Sequence, residues 1–171
     1  MIVDVQEKLC GAMKPAMLEV VVGNCATLLQ AAKLLEVPAI YSEQAPTKLG
    51  ATLPELAQYL VPETQFERTS FSCCAVERFR GLLQKQRQQI VLAGMESHVC
   101  VLQTALELQA MGRQVFVVED AVISRNAANK HNALERMRQA GVIISNTESV
   151  VFEWLQSADD AAFREISRLV R

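Results

Sequence analysis

The stretch QIVLAGMESHVCVLQTALELQAMGRQVFVVE, residues 89–119, decides the fold. Gln89–Ala93 is a short apolar run with β-branched residues, and it ends at a glycine, Gly94. From about Ser97 to Gly112 apolar residues recur at helical spacing. Gln114–Glu119 is again a short, β-branched run. Strand, turn, helix, strand within some thirty residues is the unit that builds parallel sheets, because the helix must carry the chain back before the second strand begins.

The same alternation runs outward in both directions. Upstream, Ile2-Val3-Asp4 reads as the stub of a strand ending in an acid, and Pro15–Glu36 as a helix with Val21, Cys25, Leu28, Ala32 and Leu35 on one stripe. Val37–Tyr41 reads as a buried strand, and residues 42–65 as loop, punctuated by Pro46, Gly50, Pro54 and Pro62, with a short helix after Pro54. Gln65–Arg68 reads as a brief strand and Val76–Arg87 as a helix. Downstream, Asn129–Ala140 is helical and stops at Gly141. Val142–Ser145 is the last strand, and two helical pieces begin near Glu148 and Asp159. The expectation is one α/β domain over 1–171: a three-layer, Rossmann-like sandwich with a six-stranded, mostly parallel sheet and helices on both faces.

Composition narrows the function. The chain has 171 residues, half of them hydrophobic, enough for a sizeable core. Its formal charge of −2 gives no electrostatic reason to bind nucleic acid or an anionic membrane. Apolar runs of about six residues fall short of the roughly 20 needed to span a bilayer, and no secretory signal pattern is visible. Five cysteines form an odd, sparse set, which fits reduced thiols in a cytoplasmic protein better than a disulfide framework. Two histidines cannot build a His-rich metal site.

In parallel sheets ligands bind at the carboxyl ends of strands, near the switch in strand order. That rule singles out Asp4, the residues after Tyr41, Arg68 and the turn from Gly94 to Cys100. Asp4 reads either as a cap or turn residue or as a general base. Cys100 falls on the first turn of a helix. It reads either as a small core filler or as a nucleophile whose thiol pKa is lowered by the helix dipole and free N–H groups. Arg68 reads as a surface cation or as the partner that keeps Asp4 ionised and orients a substrate. His98 lies two residues before Cys100 on the same helix and points away from it. Cys25 reads as core, and the adjacent Cys73-Cys74 pair fits neither redox nor zinc spacing.

Taken together, IVDVQEKL (2–9), YSEQAPTKLGATLPEL (41–56), FERTSFSC (66–73), AGMESHVCVLQTALEL (93–108), VVEDAVISR (117–125) and ALERMRQAGVIISNTES (133–149) resemble, in order and over nearly the whole chain, the isochorismatase-like cysteine hydrolases. The subgroup most similar in look is the isochorismatase-domain-containing proteins. The resemblance implies a six-stranded parallel sheet and an Asp–Lys–Cys triad, matched here by Asp4, Arg68 and Cys100. It implies a cis peptide at Met95-Glu96 and oxyanion donors near Cys100, including Val99. Gln6, Gln44, Phe71 and Ser97 become candidates for the substrate pocket.

Three departures qualify the resemblance. Arg68 stands where the family has lysine, so it keeps the charge but cannot shuttle a proton. The loop after the second strand lacks the His ligands of nicotinamidases, and Glu43 and Glu55 alone do not make a metal site. We therefore expect no metal and no cofactor. Only Met1, Ile2 and Val3 precede Asp4, where the family has a longer apolar strand. The expected activity is hydrolysis of a small amide or related C–N compound, by a homo-oligomer. The alternative is a weak or inactive member retained as an interaction or redox-responsive module.

Overall fold

A computed structural model of the chain describes residues 1–83 and 86–170. Its centre is a six-stranded sheet in the order β3-β2-β1-β4-β5-β6. The strands are β1 (Ile2–Val3), β2 (Tyr41–Gln44), β3 (Gln65–Arg68), β4 (Gln89–Met95), β5 (Gln114–Ile123) and β6 (Ile143–Ser145). Every neighbouring pair runs parallel. The chain leaves β1 toward β2 and β3, then crosses back and leaves β4 toward β5 and β6. The switch in direction therefore falls between β1 and β4.

Two apolar layers cover the sheet. Helix α1 (Pro15–Leu34) places Val21, Cys25, Leu28 and Leu29 on one face, together with the later helices α5 (Thr147–Leu155) and α6 (Phe163–Leu169). On the other face α2 (Glu77–Leu82), α3 (Leu102–Ala110) and α4 (Ala127–Gln139) bury Phe79, Leu108 and Met137. Pro15 opens α1 in the position where a missing N–H costs nothing. Asn126 and Asn146 cap α4 and α5 by accepting from Ala128 N and Ser149 N at 2.9 Å. Helix α1 has the length and mean hydropathy (20 residues, 1.2) of a membrane span, which the short apolar runs of the sequence did not bring out. Here its apolar stripe packs on the sheet.

The structure departs from the expected elements at several places. Val37–Ile40 is not a strand, and β2 begins at Tyr41 and includes Ser42, Glu43 and Gln44. The ladder exists only where a neighbour lies alongside: Ile2 pairs Tyr41 and Val3 pairs Ser42, while Gln65–Arg68 pairs Tyr41–Gln44. Polar residues thus occupy a buried strand, and sequence hydropathy hid them. Strand β4 runs on to Met95 and β5 to Ile123. The helix expected over Val76–Arg87 covers Glu77–Leu82, and residues 84 and 85 lie outside the described residues.

Gly94 is required where β4 meets β1. Its φ is +117°, and a Cβ there would stand 2.1 Å from the Val3 carbonyl oxygen. Only a residue without a side chain lets the two strands approach so closely at the switch point.

Candidate active site

The carboxyl ends of β1, β2, β3 and β4 come together because the parallel register aligns Val3 with Ser42 and Gly94, and Gln44 with Arg68. Asp4 follows β1 directly, fully buried, with φ +50°. Aspartate tolerates that left-handed conformation better than most residues, and such strain persists only where surroundings hold it. They do so here. Asp4 N donates to Ser42 O at 3.2 Å, and Gln6 N donates to Asp4 O at 2.8 Å. Ser42 Oγ donates to Asp4 Oδ1 at 2.8 Å, and Arg68 Nη2 donates to Oδ2 at 2.5 Å. Neither side chain of that ion pair has any exposed surface.

Cys100 sits one turn into the segment after β4. The Met95–Glu96 peptide is cis, at the place the resemblance implied. Ser97–Val101 then forms a π-type turn before α3 begins, where a regular α-helix was expected. Cys100 is 6% exposed, and its thiol lies near enough to the Asp4 carboxylate and the Arg68 guanidinium for both charges to act on it. The site therefore brings together the three residues picked out at the strand ends.

The electrostatics differ from the expected picture in one respect. A thiol on the first turn of a helix was expected to be acidified. Instead burial pushes Cys100 up to about 12, reinforced by the charge of Asp4, and the Arg68 guanidinium offsets only part of this. Desolvation and an adjacent carboxylate outweigh a turn's dipole. Burial also raises Asp4 above the ordinary carboxylate range, against the pull of Arg68 and the hydrogen bond from Ser42. For Arg68 burial works downward, but the charge of Asp4 prevails and holds it up. The resting site is a protonated thiol beside a carboxylate that is paired with a guanidinium.

Each of the three Arg68 nitrogens makes a hydrogen bond within the fold. Nη2 is on Asp4, Nη1 on the Ser70 carbonyl and Nε on Cys73 Sγ at 3.2 Å. In this arrangement the Arg68 side chain has no exposed surface. Val99 is not a free oxyanion donor, because its N–H is given to Glu96 O at 3.1 Å. Glu96 itself accepts from Arg125 N at 3.0 Å, tying the turn to the end of β5.

The pocket candidates divide. Gln6 is buried and spends its amide on the backbone: Nε2 donates to Gly50 O at 2.7 Å and Gln44 O at 3.2 Å, and Oε1 accepts from Gln44 N at 2.8 Å. It is a strut for the loop after β2, and a substrate contact only through that loop. Gln44 reaches Thr69 O at 3.3 Å. Phe71 is 53% exposed beside the Arg68 segment. Ser97 is buried, and its hydroxyl finds no partner among the described residues. His98 bonds Ser124 Oγ at 2.9 Å, away from Cys100 as its spacing required. Glu43 Oε1 accepts from the Thr52 N–H and hydroxyl at 2.7 Å, and Oε2 from Gln65 Nε2 at 2.7 Å. Its oxygens are committed to the fold.

Sequence reading missed Ser42 and Cys73. Ser42 was placed in loop, and Cys73 was set aside on spacing. The signal that could have found Ser42 is its polarity at a position paired with the residue before Asp4. A cavity of about 590 Å³, lined by Met1, Leu28, Ile40, Phe79 and Val91 among others, lies at the amino ends of the strands. It is on the far edge of the sheet from Cys100 and takes no part in this chemistry.

An open parallel sheet with a Cys–Asp–cation cluster at its switch point defines a class of α/β hydrolase. Residues 1–149 match the Isochorismatase domain, and the chain belongs to that family. It is 40% identical over 172 residues to isochorismatase domain-containing protein 2 of Danio rerio, covering 98% of this chain and 83% of that protein. Among solved structures it superposes on the MAR1 ribonuclease from Caenorhabditis elegans with a TM-score of 0.92 and 36% identity, covering 99% of this chain and 86% of that one. It also superposes on the YcaC gene product of Escherichia coli, an octameric hydrolase of unknown specificity, with a TM-score of 0.87 and 26% identity, covering 99% and 89%.

Proposed function

We propose that the protein is a cysteine hydrolase that cleaves a small amide or related C–N substrate through a Cys100 thioester, with neither metal nor cofactor. The observation that supports this reading is one buried carboxylate, Asp4, held by Ser42 Oγ and Arg68 Nη2, with the buried Cys100 thiol within reach of its charge.

The chemistry follows from that arrangement. Asp4 takes the thiol proton as the sulfur attacks the carbonyl carbon, so the C–S bond forms as the S–H bond breaks. The raised thiol makes a standing thiolate scarce, so proton transfer and attack belong to one step. Backbone N–H groups of the Ser97–Cys100 turn, Val99 excepted, hold the developing oxyanion. Protonated Asp4 returns its proton to the departing nitrogen, and the C–N bond breaks. Asp4 then draws a proton from water, which opens the thioester and regenerates the thiol. Arg68 keeps Asp4 oriented and its charge compensated throughout. An arginine suffices for that task because no step requires it to release a proton.

The test is amine release from a panel of small primary amides and anilides, with Cys100→Ser and Asp4→Asn as controls. Release by the parent and loss in both variants is the expected result, with an acyl adduct on the Cys100 peptide by mass spectrometry. Release that survives Cys100→Ser overturns the thioester. Failure of the parent on the whole panel favours the interaction alternative; the burial and raised thiol of Cys100 speak against a redox-responsive role. The ribonuclease name of one structural relative finds no support in this chain's charge, with 17 basic against 19 acidic residues.

A further inference from the structure

Four side chains at the site close a hydrogen-bonded ring. Arg68 Nη2 donates to Asp4 Oδ2 at 2.5 Å, and Ser42 Oγ donates to Asp4 Oδ1 at 2.8 Å. The Cys73 thiol donates to Ser42 Oγ at 3.8 Å, and Arg68 Nε donates to Cys73 Sγ at 3.2 Å. Each hydroxyl or thiol in the ring both donates and accepts, so the bonds reinforce one another.

Cys73 is held in place independently of Arg68. Its backbone N–H donates to Thr104 Oγ1 on α3 at 3.0 Å. The turn Cys73–Ala75 is capped by Ser72, whose Oγ accepts from Cys74 N at 3.2 Å and donates to Glu107 Oε2 at 2.8 Å. The sulfur is thus presented from a rigid turn docked on α3, fully buried.

The ring depends on arginine. A guanidinium is planar, with its Nε–H fixed relative to the two Nη groups, so an acceptor at Nε sets which edge faces the carboxylate. A lysine carries all its donors at one nitrogen and has no N–H on its stem. We propose that Cys73 is a positioning residue: its sulfur fixes the guanidinium plane of Arg68 and, through Ser42, the Asp4 carboxylate that Cys100 meets. Cys73 acts through Arg68 and does not touch substrate. The inference rests on the reading of Asp4 and Cys100 as a working pair, but its test needs no turnover.

The experiment is the second-order rate of Cys100 alkylation by iodoacetamide at pH 8, followed on the Cys100 peptide by mass spectrometry, with Cys100→Ser as blank. Below the thiol midpoint, each unit of upward shift slows the reaction about tenfold. Loosening Arg68 removes a neighbour that holds Cys100 down. Cys73→Ala is expected to slow alkylation about fivefold or more, and Cys73→Ser, which restores an acceptor for Nε, to return it to within about twofold. In the Arg68→Lys background Cys73→Ala is expected to change nothing, since the ring is already open. Where Cys73→Ala does not fold, Cys73→Val fills the volume without an acceptor and is expected to show the same loss. Parent-like rates in Cys73→Ala or Cys73→Val, equal losses in both backgrounds, or no recovery with serine each overturn the proposal. Asp4→Asn separates the two readings. If it leaves Cys100 alkylation unchanged, the Asp4–Cys100 pair itself fails. If it changes the rate while Cys73→Ala does not, only the role of Cys73 fails.

Discussion

Asp4→Asn is expected to make Cys100 more reactive toward an alkylating reagent while abolishing hydrolysis. In the folded protein the Cys100 thiol is raised to about 12, chiefly by burial and next by the negative charge of Asp4. Two unit charges about 4 Å apart interact by about 4 kcal/mol at an effective dielectric near 20. A like charge at that range moves a pKa by about 1–3 units. Asparagine removes the charge and leaves the Arg68 guanidinium, which pulls the thiol down. A fall of that size multiplies the thiolate fraction at pH 8 about 10- to 1000-fold, since pH 8 lies well below the midpoint. The assay is iodoacetamide trapping at pH 8 with peptide mapping, run beside amine release. Folding is verified first by near-UV circular dichroism. The reason is that an uncompensated buried guanidinium costs about 3–5 kcal/mol, an upper bound here because the Asn carbonyl still accepts from Arg68. Alkylation that is unchanged or slower in a folded Asp4→Asn protein refutes the electrostatic account of the site.

Other outcomes follow from single contacts. Gly94→Ala forces a Cβ to within 2.1 Å of Val3 O at a φ of +117°. It is expected to lower stability in a urea melt by about 3 kcal/mol or more, or to prevent folding. Gln6→Leu removes three hydrogen bonds to the loop after β2. It is expected to cost about 2–4 kcal/mol and to raise hydrogen exchange in residues 44–50, with the Cys100 alkylation rate within about twofold of parent. Cys25 is buried and its thiol raised from 9.0 to about 12. The folded state therefore holds a proton that the unfolded state loses between pH 9 and 12, and stability falls through that window by about 1.4 kcal/mol per pH unit from this group. Urea midpoints measured from pH 9 to the alkaline limit are expected to decline less steeply in Cys25→Ala. Equal slopes would refute the assignment.

Much of the site was legible in the sequence. Short apolar runs alternating with helical stripes require a parallel sheet, and in such a sheet the strand ends converge. That logic marked Asp4, the residues after Tyr41, Arg68 and the turn to Cys100, and the family resemblance then chose the catalytic reading for Asp4, Arg68 and Cys100. Pattern could not supply what depends on neighbours. Whether Val37–Ile40 pairs as a strand depends on what lies beside it, and the ladder begins only at Tyr41. Ser42 read as loop because a polar residue in a buried strand has no hydropathic signature.

The tertiary structure decided the chemistry for the same reason. The sequence alone placed Cys100 at a helix start, where it read as either a core filler or an acidified nucleophile. Register placed Asp4 against it and excluded water, and both effects raise it. Arg68 read as a surface cation or as the partner of Asp4, and the fold enclosed it with Asp4, Ser70 and Cys73. Local sequence determines period, charge and chain direction, because these are properties of adjacent residues. Protonation, hydrogen-bond partners and exposure are set by groups far apart in sequence, such as Asp4 and Arg68, 64 residues apart, and these meet only when the sheet closes.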